Sequence, residues 1–132
     1  LERMETLAIP VLGYKTNDFP GFYLTDSGFK IEHRVESVEE IAKIWGLRHS
    51  LNTDDTAIIV ANPVVNQMDK TFHDEILEAG LSAATAKAIS GKGVTPFLLE
   101  HFHTTSKGES LRVNIEIIKA NSKLAAQIAC AL

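Results

Sequence analysis

Asn114 and Asn121 are the residues of this chain whose chemistry packing explains least. They interrupt a run that otherwise asks for a greasy helix face: Leu111, Val113, Ile115, Ile117 and Ile118. At about 100° per residue, Arg112, Lys119, Lys123 and Gln127 gather on one side of such a helix. Val113, Ile117, Leu124, Ala125 and Ile128 gather on the other, and both asparagines fall near the middle of that apolar side. An amide carries a donor and an acceptor together, so it can read a polar edge that offers the complementary pair. Left buried and unpaired it costs about 1–3 kcal/mol. Two readings are open for Asn114: it ties down the backbone of a neighbouring loop, or it faces a pocket and reads a polar ligand.

Other reactive side chains form no recognisable constellation. His101 and His103 stand two apart on a helix and point in nearly opposite directions, so they cannot chelate one metal together. His33, His49 and His73 are isolated in sequence, whereas metal sites are built from several convergent ligands. Asp54-Asp55 precedes a strand and reads as a solvated turn. Cys130 lies between Ala129 and Ala131 with no base nearby and reads as inert. Gly91-Lys92-Gly93 is too common a loop tripeptide to indicate an anion cradle. The phosphate loop, the dinucleotide fingerprint and the nucleophile elbow are all absent.

The elements that must position Asn114 follow from periodicity and caps. "LERMETL" reads as the end of a helix and Ile9–Tyr14 as a short strand. Gly and Pro break the stretch after Lys15, with one short strand expected around Phe22–Leu24. Ser37-Val38-Glu39-Glu40 has capping-box spacing and predicts a helix from Val38 to about His49 that buries Ile41, Ile44, Trp45 and Leu47. Thr56–Pro63 is a continuous apolar run stopped by Asn-Pro, which predicts a strand covered on both faces. A helix is expected over Lys70–Ile89, weakened by Gly80 and Ser82. Another should start with Thr95 as cap and Pro96 as first helical residue. Ser110 or Glu109 should open the last. Two or three strands alternating with four helices make an α/β layout.

Bulk properties narrow the function. The net charge is −4, from 13 basic and 17 acidic residues with no basic cluster, which argues against nucleic acid as partner. No apolar stretch approaches the ~20 residues of a membrane span, and no secretory signal opens the chain. A single cysteine excludes an internal disulfide and suits a reducing compartment. So few strands are a small sheet for this many helices, and the chain opens at Leu1 without a methionine. Both features lead to the expectation of a piece of a longer polypeptide.

Six segments, in this order and at these spacings, carry a resemblance: "IPVLGY" (9–14), "FYLTDSGF" (22–29), "HRVESVEEIAKIW" (33–45), "IIVANP" (58–63), "GKGVTPFLLEHF" (91–102) and "SLRVNIEIIKAN" with "LAAQIA" (110–121, 124–129). Together they resemble the C-terminal portion of the pseudouridine-5′-phosphate glycosidases, also called the indigoidine-synthase-A-like family, over essentially the whole chain. Departures are Asn52–Thr56 in place of a glycine-rich connection, Val64–Gln67 after Asn62-Pro63, and a shortened Met68–Ser90 segment.

The resemblance implies the C-terminal part of an α/β/α layered domain with a central sheet, residues 1–132 belonging to a single domain whose N-terminal catalytic half lies outside them. It implies reversible cleavage of the carbon–carbon glycosidic bond of pseudouridine 5′-phosphate to uracil and ribose 5-phosphate. In that chemistry a lysine forms a Schiff base with the opened sugar, a glutamate shuttles the proton, and a divalent metal, usually manganese (Mn2+), is held through aspartate and water. It further implies a homotrimer, with no nucleic acid or membrane as partner, in the cytoplasm or an organelle. Catalytic and metal-binding residues are expected in the N-terminal half and none in this segment. The position that carries over is Asn114, matching the asparagine that borders the family's base pocket, while Asn121 is assigned a structural role. The alternative is a truncated, inactive homologue acting as a binding or assembly module.

Overall fold

Short parallel strands organise the chain, and helices supply most of its mass. The structure, a computed structural model, describes every residue from Leu1 to Leu132. In chain order the elements are α1 (Glu2–Thr6), β1 (Val11–Tyr14), β2 (His33–Val35), α2 (Val38–Ser50), β3 (Ile59–Ala61), α3 (Lys70–Ala86), a single 3-10 turn at Gly91–Gly93, α4 (Val94–Thr105) and α5 (Glu109–Ala131). The three strands form one parallel sheet in the order β2-β1-β3, with Leu12 opposite His33 on one side and Val60 on the other. The α/β class read from the sequence is the class observed.

Two apolar clusters hold the layers together. Leu12, Val35 and Ile41 join sheet to α2, with Ile44, Ile58, Val60 and Ile128 of α5 packed around them. Tyr23, Val64, Met68, Ile76, Phe102 and Val113 form the second, where α3, α4 and α5 meet the loops after β1 and β3. Burial pushes the Tyr23 phenol above its ordinary pKa, partly offset by the hydrogen bond it shares with Ser110.

Local signals explain most of the boundaries. Ser37 caps α2 by accepting from the Glu40 N–H, and the Glu40 carboxylate reaches back to the N–H of Glu36, one residue earlier than in the usual box. Asp69 caps α3 by accepting from the Phe72 N–H at 2.9 Å. Gly80 does not weaken α3: it is buried where α4 crosses, and a Cβ there would lie 2.9 Å from side-chain atoms of both Leu98 and His101. The residue is small because the two helices meet on it.

Five expectations are corrected, the first being that α2 buries Trp45 and Leu47: its buried residue is Ile41, and both of the others are exposed because no element of this chain covers that side of the helix. Phe22–Leu24 is a turn rather than a strand, with Phe22 at φ 65°. The adjacent side chains of Tyr23 and Leu24 are both buried all the same. The apolar run Thr56–Pro63 contributes only Ile59–Ala61 to the sheet, and Ile59 and Val60 stay half-buried. The helix α4 begins at Val94 behind Gly93, leaving Pro96 in the first turn, where its missing N–H is still harmless. The helix α3 stops at Ala86, short of Ile89.

Candidate functional site

In open α/β sheets ligands bind beyond the carboxyl ends of the strands, at the point where strand order reverses. The order β2-β1-β3 places that point between β1 and β3. Beyond β1 the chain folds back tightly: Lys15 adopts φ 57° and sets its ammonium 5.2 Å from the centre of the Tyr14 ring. The reversal brings the Thr16 carbonyl against Gly13, where a Cβ would stand 2.1 Å from the oxygen. Since the obstructing atom is backbone, Gly13→Ala must push the turn aside, at an expected cost of about 1–3 kcal/mol in unfolding free energy measured by urea titration. An unchanged midpoint would show that the turn is not fixed there.

Beyond β3 comes Asn62, whose Nδ2 donates to Oδ1 of Asn121 on α5 at 3.0 Å. That bond joins the carboxyl end of the sheet to the helix and leaves the Asn62 oxygen and the Asn121 amide hydrogens partly free. Further along the same loop, Asn66 donates to Glu116 at 3.2 Å. Glu116 also accepts from Arg112 at 2.7 Å, and Arg112 reaches Glu109 at 2.7 Å. Donation from Arg112 holds the Glu109 carboxyl below its usual pKa.

The two asparagines of α5 do not lie at the middle of its buried side, as periodicity suggested. That position belongs to Ser110, Val113 and Leu124. Asn114 is half-buried and Asn121 exposed, on a flank they share with Leu111 and Ile118, which are 46% and 57% exposed. Two helical turns, about 10 Å, separate them along the axis. Asn121 has Asn62 as partner. The Asn114 amide is tied to no loop backbone, nor is it sealed away, since the one fully buried, unpartnered side-chain polar atom is Nε2 of His101. The structural partner expected for a plain core amide is therefore missing from Asn114.

Between the end of β1, the start of α2 and the last turns of α5 lies an open hollow of about 910 Å³, lined by Tyr14, Lys15, Glu36, Lys43, Lys123 and Gln127 among others. Its charges are mixed, and the Arg34 guanidinium keeps the Glu36 carboxyl below its usual pKa. Neither Asn62 nor Asn114 lines it, so size alone does not mark the site. No three His, Cys, Asp or Glu side chains converge anywhere in the chain. His101 is half-buried in the helix crossing and His103 exposed, each without the other. At the strand ends the structure joins Asn62 to Asn121, and Asn114 stands two helical turns away along α5. The sequence singled out Asn114 and Asn121 but not the partner of Asn121, Asn62, which ends the apolar run as part of Asn-Pro.

Comparison with known proteins identifies the family. Residues 1–131 match the family described as indigoidine synthase A like protein. The chain is 47% identical to a protein of Salinispora tropica named pseudouridine-5′-phosphate glycosidase, over 99% of this chain and 41% of that one. It is 37% identical to a protein of the same name from Caldanaerobacter subterraneus, over 100% of this chain and 43% of the relative. It thus spans about two-fifths of the length of these relatives. Among solved structures, an indigoidine synthase A-like protein of Thermotoga maritima superposes with a TM-score of 0.79 at 36% identity, over 97% of this chain and 42% of that one. The prealnumycin C-glycosynthase AlnA, solved with ribulose 5-phosphate, superposes with a TM-score of 0.87 at 19% identity and shares the fold. With the match running through β1, β3 and all of α5, this chain belongs to the indigoidine synthase A-like family.

Proposed function

We propose that this chain is the C-terminal, base-recognising portion of a pseudouridine-5′-phosphate glycosidase. The observation that carries the reading is 47% identity to a protein of that name across nearly the whole chain. The reaction is the reversible cleavage of the bond between C5 of uracil and C1 of ribose 5-phosphate. Such a bond has no heteroatom leaving group, so covalent catalysis by an amine that opens the sugar divides a hard step into easier ones. The Schiff-base lysine, the proton-shuttling glutamate and the aspartate that holds a divalent metal through water belong to the N-terminal half of the domain. Lys15, Lys92 and Glu100 do not replace them. Asn114, half-buried with its amide unpaired, is the residue here that meets the uracil edge, offering N–H to a carbonyl and oxygen to a ring N–H. The full-length protein is a homotrimer working on small molecules in the cytoplasm. No helix of this chain is long and apolar enough to cross a membrane.

A second reading, an inactive homologue that serves assembly alone, is favoured by apolar side chains left uncovered. Val65 is 83% exposed and Leu111, Ile115 and Ile118 crowd one flank of α5. Turnover separates the two. The 132-residue chain by itself should form no pseudouridine 5′-phosphate from uracil and ribose 5-phosphate, with or without manganese. Joined to the part of the Salinispora tropica relative that it does not match, it should. Turnover by the chain alone would mean the catalytic groups are misplaced, and a folded but inactive joined protein would favour the assembly reading.

A further inference from the structure

Both β2 and β3 are edge strands, and they are built differently. The outward backbone of β2 belongs to Arg34, because Val35 turns its carbonyl inward to the Lys15 N–H at 2.8 Å. Exposed His33 and Arg34 guard that edge, with Arg34 paired to Glu36, the kind of charge by which proteins discourage further pairing. On the other side, Ile59 donates inward to the Pro10 carbonyl at 2.9 Å. Alternation along a parallel strand then turns the N–H and C=O of Val60 outward. This edge, Ile59-Val60-Ala61, carries no charge at all. Beside it lies a groove of about 310 Å³ lined only by apolar residues, including Ile41, Trp45, Ile58, Val60, Ile128 and Leu132. Its rim is uncovered, with Trp45 44% and Leu132 66% exposed.

We propose that the sheet continues past β3 and not past β2, and that the occupant of the β3 edge is an apolar strand from the part of the family polypeptide that this chain does not match. Its backbone pairs with Val60, and a side chain next to it fills the groove under Trp45. The length relation supports that occupant, since the relatives carry well over half their residues outside the match, and parallel sheets are buried on both faces by further elements of the same fold. This inference rests on the family reading above for the identity of the partner, but its readout is assembly and not turnover.

The test compares the chain alone with the chain joined to the unmatched part of the Salinispora tropica relative. Residue-resolved amide exchange should slow at Val60 by roughly 100-fold or more on joining, and change little at Arg34. Co-expression of the two parts as separate chains should give a complex that Val60→Pro abolishes. Proline there removes the outward N–H and spares the β1 ladder, while Arg34→Pro, the matched change on the other edge, should leave the complex intact. Loss in both variants, loss in neither, or protection at Arg34 in place of Val60 overturns the proposal. So does dimerisation of the chain alone with Val60 protected, which would make a second copy the occupant. If Val60→Pro fails to fold, exchange at Val60 in the unsubstituted protein decides the matter. A joined protein that protects Val60 but lacks turnover would overturn the proposed reaction and leave the edge assignment standing; turnover with an unprotected Val60 would do the reverse.

Discussion

Replacing Phe102 by alanine is expected to lower the unfolding free energy of the chain by about 3–5 kcal/mol, the range for truncating a buried aromatic. The ring is 4% exposed and its centre lies 5.1 Å from that of Tyr23 and 5.1 Å from that of His73. Its neighbours cannot collapse into the space, because each is anchored elsewhere. Tyr23 sits in a turn whose carbonyl accepts from Met68 at 3.0 Å, and His73 is held by Asp74 at 3.0 Å. A domain of this kind has about 5–15 kcal/mol in total, so the loss would remove a large share of it. Leu99→Ala, on the same helix but at a residue 41% exposed, serves as the reference and should cost about 1 kcal/mol or less. Urea titration of the two variants decides it. Equal midpoints would mean that α4 is not held through Phe102.

What could be read in advance followed the range over which each signal acts. The start of α2 was legible because Ser37 and Glu40 satisfy orphan N–H groups within the same turn. The polar side of α5 was legible from helical period alone, since Arg112, Lys119, Lys123 and Gln127 fall together; the pairing of Arg112 with Glu109 and Glu116 is added by the structure. The strand β2 left no signal, since three residues, two of them exposed and charged or polar, carry no hydrophobic alternation. The turn at Phe22 was misread because Phe-Tyr-Leu has strand composition, while its burial is decided by Met68 and Phe102, far along the chain. Gly80 illustrates the same limit: helix propensity counts it as a weakness, and only the crossing of α4 shows why a side chain is excluded.

For the asparagines, periodicity named a side of the helix but not its partners. Asn62, 59 positions before Asn121 in sequence, is joined to it by a hydrogen bond across the carboxyl end of the sheet. No local pattern encodes that meeting. Asn114 was recognised through its resemblance to a family position, and the structure adds that its amide is half-buried with no loop to hold. The same motif therefore contains one amide used by the fold and one left over.

That difference sets up a paired expectation in the joined protein. Asn114→Ala removes the donor and acceptor proposed to meet uracil, and leaving the base edge unpaired costs about 1–3 kcal/mol, or roughly 5- to 150-fold in kcat/KM. Stability should change little, because no hydrogen bond within the chain is lost and the flank is already in contact with water. Asn121→Ala should act in the opposite sense. It breaks the bond to Asn62, lowering stability by about 0.5–1.5 kcal/mol, with turnover per folded molecule unchanged. The same loss is expected for Asn62→Ala, and the double variant should cost no more than either alone, since one shared bond can be lost only once. Melting temperature and kcat/KM are measured for all four proteins. If Asn114→Ala melts far lower but keeps normal kinetics where folded, Asn114 is a packing amide and the base-reading role falls.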